Sequence, residues 1–250
     1  MLARVLRRLT AAAVGLLLAA QPAGAYPVGD ADAYAFLSRR SGHDLIARWN
    51  PCEVINYRVN PADAPEGSLI EVKLAVARIA RATGLTLRYA GTTGVVPGRS
   101  PIDYPSGTHL IVAWVVPGDD TPSLRADADI AGIGGATYFP GHTESGADAL
   151  VIDRGMVLLD ATRTATMARG FGAAPGGTTG GLLLHELGHA VGLAHPLIDD
   201  AGEIMYPRLT TGSADWGAGD LAGLHAVGAS GGCVRIDPDR RLEFLLAQPA

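Results

Sequence analysis

The chain has 250 residues, with 20 basic against 25 acidic side chains and a formal charge of −5. That balance argues against nucleic acid as a partner, because binding a phosphate backbone calls for an excess of Lys and Arg. Lys73 is the only lysine, so nearly all the positive charge is arginine.

Residues 1–25 read as an export signal. Arg4, Arg7 and Arg8 form a positive start, residues 9–20 are apolar, and Ala23-Gly24-Ala25 supplies a small-residue cleavage site. The apolar run is short for a membrane span. Cleavage before Tyr26 removes three arginines and no acids, moving the formal charge from −5 to −8. Roughly 225 residues remain, enough for one domain with a substantial core. No other long apolar run follows, so a secreted, extracellular monomer without membrane contact is expected.

Residues 26–50 form an N-terminal arm or a short pro-segment. Cys52 and Cys233, the only cysteines, lie near opposite ends of the mature chain. In an oxidising compartment they are expected to form one disulfide. Residues 54–59 read as the first strand. At 68–82, Leu69, Val72, Val76 and Ile79 recur at helical spacing, with Ser68 as N-cap and Gly84 past the end. A strand at 85–89 follows, and strand, helix, strand implies a crossover with parallel pairing. The continuous apolar run at 109–116 suits a strand covered on both faces.

Residues 117–133 form an acid-bearing loop. Asp119, Asp120, Asp127 and Asp129 admit a calcium (Ca2+) reading, but lack a regular ligand spacing, so a solvated loop is preferred. Glycine and proline bound a short strand at 134–139, as at a sheet edge. Such an edge has unpaired backbone groups able to accept an extended peptide. Another short strand is expected at 149–152. Thr178 or Thr179 can then cap a helix over 180–191.

That helix carries His185-Glu-Leu-Gly-His189-Ala-Val-Gly-Leu-Ala-His195. One turn separates His185 from His189, so both imidazoles can reach one metal ion. Glu186 is offset by about a third of a turn, within reach of a metal-polarised water as general base. Gly192 stands where a left-handed residue would end the helix and return His195 as third ligand. Three imidazoles leave a fourth position for water, the pattern of catalytic zinc. Chance would produce this pattern in a chain of this length about once in a hundred thousand. For His43, His109, His142 and His225, ordinary surface or core roles are expected.

The motif resembles that of the metzincin zinc endopeptidases. The Met205 segment, Ile204-Met205-Tyr206-Pro207, resembles the Met-turn beneath the zinc in the matrixin branch. Pro196 is found in serralysins, but Tyr206 directly follows Met205 and no Gly-Gly-x-Gly-x-Asp repeats occur, which favours the matrixin form.

The resemblance implies an α+β fold: a twisted mixed sheet with an antiparallel edge strand, an active-site helix, and a small C-terminal subdomain after Gly192. It places a catalytic domain at 51–228 and a tail at 229–250; residues 220–227 themselves read as a last helix. It implies a zinc-dependent endopeptidase acting on protein or peptide, with Glu186 as base and Gly135, Ala136, Thr137, Pro207 and Leu209 binding substrate.

Two family features are missing. Asn50-Pro-Cys-Glu does not match the propeptide cysteine switch. No histidine lies between His109 and His142 to hold a second, structural zinc, so one catalytic Zn2+ is expected. The rival readings are a zinc hydrolase of a non-protein amide, such as a wall crosslink, and a non-catalytic binding module on the same fold.

Overall fold

A computed structural model of the chain describes residues 27–98, 104–118, 124 and 129–239. The export segment, Asp119, Asp120 and Asp127 lie outside them. The architecture is α+β. Six strands run in the order β4 (Leu87–Thr92), β3 (Ile55–Asn60), β5 (Leu110–Val115), β7 (Asp148–Asp160), β6 (Gly132–Thr143), β9 (Val234–Ile236), and β2 (Ala47–Arg48) also pairs with β7. The β3, β4, β5, β7 and β2 pairings are parallel, whereas β6 runs antiparallel to β7 and β9. As expected, β5 lies inside the sheet with all six residues buried.

Two strands run longer than their local patterns imply. β7 continues past Ile152 through Asp153-Arg154-Gly155, because its partner changes along one edge. Leu150 and Val151 face β2, and Gly155 to Asp160 face β5. The two polar side chains sit in an ion pair at 3.2 Å. β6 begins at Gly132 and runs through Pro140, whose carbonyl accepts from the Asp237 N–H at 3.1 Å.

α2 (Ser68–Thr83) buries Val72, Ala75, Val76 and Ile79 and ends at the left-handed Gly84. Its N-cap is Gly67, and the Ser68 hydroxyl instead donates to the Pro65 carbonyl at 2.6 Å. α4 (Thr179–Ala190) is buried along its whole length, with Thr178 accepting the Gly181 N–H at 3.2 Å as N-cap. A helix covered on every side needs small residues where neighbours come closest. α5 (Ala218–Val227) closes the helical set, beside the four-residue turns α1 (Leu37–Arg40) and α3 (Ala161–Thr164).

The arm at 27–50 is built into this body. β1 (Ala35–Phe36) pairs antiparallel with β8 (Leu193–Ala194), and β2 joins the main sheet. At the other end, Cys52 and Cys233 form a disulfide with Cα atoms 5.5 Å apart, spanning 181 positions. It fixes the segment after Gly228, whose β9 pairs with Gly141–Thr143 of β6. Among the described residues, no helix is long and apolar enough to cross a membrane.

Candidate metal centre

α4 presents His185 and His189 on successive turns. It ends at Ala190 with Val191 as C-cap, and Gly192, at φ 112°, turns the chain into β8, which leads to His195. The three side chains meet: the Nε2 of His195 lies 3.0 Å from that of His185 and 3.2 Å from that of His189. All three ligand atoms fall within 4.8 Å of one another, a group that could hold a metal ion.

The ring protons can be placed from the partners. His185 Nδ1 lies 2.7 Å from the Ile204 carbonyl, and His189 Nδ1 lies 2.8 Å from the Leu193 carbonyl. A carbonyl only accepts, so both Nδ1 atoms carry the proton and both Nε2 atoms present lone pairs. Those two lone pairs converge on a third ring nitrogen, which can supply at most one proton. Burial pushes His185 down to about 4 and His189 to about 3, keeping both rings neutral, and it also lowers His195. Neutral, convergent imidazole lone pairs are what a cation requires.

Glu186 is buried beside this cluster and accepts the N–H of Gly134 in β6. Burial pushes its carboxyl up to about 8, with that hydrogen bond opposing the rise. Strand and helix nearly touch here: a Cβ on Gly134 would stand 2.0 Å from the Glu186 carbonyl oxygen. On the far side of α4, Met205 is buried, and a Cβ on Gly188 would stand 2.3 Å from its Sδ. The Met205 turn therefore packs directly beneath the motif, against the helical glycine Gly188.

A cleft of about 1010 Å³ opens onto His185, Glu186, His189 and His195. Pro207 and Leu209 line it, while the β6 part of its wall is formed by Gly132, Ile133 and Gly134. Gly135, Ala136 and Thr137 continue the same strand beyond that wall. Leu182 of the helix adds apolar surface, as does Met167, which sequence reasoning did not single out; nor did it single out Arg163, which pairs with Asp129 at 3.0 Å on the rim. Asp129 is thus engaged with an arginine.

The support beneath the turn was also missed. Asp220, fully buried at N3 of α5, accepts the N–H groups of Ile204, Met205 and Gly217 at 2.5, 3.0 and 3.1 Å. Glu203 accepts those of Gly219 and Asp220 at 3.0 and 2.6 Å. Burial, together with its neighbour Asp220, pushes the Glu203 carboxyl up to about 7, and burial raises that of Asp220 as well. A carboxyl raised on folding contributes stability that is lost as pH rises through its folded value. From about pH 7.5 to 9, a unit or more above the ordinary histidine value, the histidines are largely neutral in folded and unfolded chains alike. Over that range the melting temperature of metal-free protein should fall as Glu186, and to a smaller extent Glu203, ionise; a flat or rising thermal-melt series would contradict these raised carboxyls.

No family model and no curated protein matches the chain. Among solved structures it is similar to one described as the GM1 bound form of the ECX AB5 holotoxin, at 14% identity and a TM-score of 0.38. That alignment covers 90% of this chain and 100% of the other. A likeness at this level carries no argument about fold or function.

Proposed function

We propose that the protein is a secreted zinc-dependent endopeptidase, metzincin-like and closest in motif to the matrixins. One observation carries the reading: three neutral imidazoles converge beside a buried carboxyl, in a cleft bordered by a strand edge. Zinc fits the donor set. Tetrahedral zinc with Zn–N bonds of about 2.0–2.1 Å needs ring nitrogens about 3.3 Å apart, close to the 3.0 and 3.2 Å separations here. His185, His189 and His195 would hold the ion, and Ile204 and Leu193 orient the first two rings.

When bound, zinc supplies Lewis acidity, polarising the scissile carbonyl and making water acidic enough to attack near neutral pH. The rest is done by the chain. From Gly135 to Tyr138 the ladder partner of β6 among the described residues is β7, and the opposite edge of that stretch would hydrogen-bond an extended peptide. Glu186 takes a proton from the attacking water and passes it to the leaving amine nitrogen as the C–N bond breaks. A carboxyl raised by burial is a stronger base than an exposed one, which suits this task. Pro207 and Leu209 form the wall beyond the scissile bond.

Secretion is supported by the export signal and by the disulfide, since disulfides persist in oxidising compartments. Casein and a peptide library, each with and without a chelator, test the activity. Chelator-sensitive peptide cleavage restored by zinc is expected. Zinc-loaded protein that cuts no peptide would overturn the reading in favour of a non-protein amide or a binding role.

A further inference from the structure

The segment bearing the third ligand has little support of its own. After Gly192 it forms only the two-residue strand β8, and within the motif its anchor is the Leu193 carbonyl, facing the His189 ring at 2.8 Å. A strand this short is marginal without a partner. The N-terminal arm supplies one. The Val28 carbonyl accepts the Ala218 N–H at 2.9 Å, and the Asp30 N–H donates to Asp200 at 2.7 Å. Ala35 and Phe36 then pair with Ala194 and Leu193, and the Leu37 N–H donates to the Gly192 carbonyl at 2.9 Å. Last, the Arg40 guanidinium donates to the carbonyl of His195 itself, at 2.7 Å. Beyond it, β2 enters the main sheet. The arm therefore ties the ligand-bearing segment to the body of the fold.

Resting on the metal-site reading above, we propose that this arm is a permanent part of the metal centre and that Arg40 is the residue that positions His195. A charge-assisted bond on the ligand's own carbonyl holds the backbone from which the imidazole projects. It acts at the distance of an outer-shell partner, whose removal commonly costs about 10–100-fold in metal affinity. The arm is then no removable pro-segment, because losing residues up to Arg40 would free the third ligand.

The test uses the whole mature chain and zinc itself, with affinity read by competition against chelators of graded strength. Arg40→Ala should bind zinc about 10–100-fold more weakly, while its metal-free melting temperature stays close to that of wild type. Arg40→Lys, which restores one charged donor, should recover part of the loss. Arg39→Ala, whose guanidinium lies over the Phe36 ring instead, should bind as wild type does. If Arg40→Ala does not fold, Arg40→Gln is read the same way. Wild-type zinc affinity in the folded Arg40 variant overturns the proposal. His189→Ala separates the two failures: zinc kept there sinks the metal-site reading itself, whereas zinc lost there but kept in Arg40→Ala sinks only the role of the arm.

Discussion

Replacing Glu186 with glutamine should leave zinc bound and lower peptide hydrolysis by about 10²–10⁴-fold, the usual contribution of a positioned general base. Glutamine keeps the length of the side chain and an oxygen that can accept the Gly134 N–H, but it cannot take up a proton. The site is already built for a neutral group at this position, because burial favours the uncharged carboxyl. The fold should therefore tolerate the change, and the metal content of the variant should match that of wild type. Steady-state cleavage of a peptide found in the library screen provides the measurement. Activity within tenfold of wild type would remove Glu186 from the mechanism.

The second large effect falls on stability. Asp220→Ala should destabilise the chain by about 3–5 kcal/mol, because it strands three backbone donors at a fully buried position. In a chain of this size that corresponds to a fall in melting temperature on the order of 10 °C. The loss should also reach the metal. Asp220 holds the Ile204 and Met205 peptides, and the Ile204 carbonyl fixes the His185 ring at 2.7 Å. Zinc retention should fall together with the melting temperature, and Asp220→Asn, which keeps one accepting oxygen, should lie between. A melting temperature unchanged in Asp220→Ala would show that the turn does not depend on this carboxylate.

What the sequence disclosed and what it withheld follow physical lines. The three-histidine cluster was legible because its geometry is local: a four-residue spacing places two histidines on one helical face, and Gly192 turns the chain back at φ 112°. The Cys52–Cys233 disulfide was legible because only one pairing exists. The long course of β7 was not, since Asp153-Arg154-Gly155 looks like a break until β5 and β2 are seen to share one edge of the strand. Asp220 read as an ordinary helical residue, and only the fold shows its carboxylate turned toward Ile204 and Met205. Arg40 lies 155 positions from His195, whose carbonyl it meets, a separation that no local pattern encodes. The part of the cleft wall at Gly132 to Gly134 was not fully singled out, for a similar reason. Gly135, Ala136 and Thr137 follow from an edge-strand pattern, whereas Gly132 to Gly134 reach the cleft because α4 packs against them.

Elemental analysis of dialysed protein bears most directly on the three-imidazole centre, with wild type and His189→Ala taken side by side. One zinc per chain is expected in wild type and none in the variant. Two zincs per wild-type chain, or zinc retained without His189, would contradict a single centre built from His185, His189 and His195.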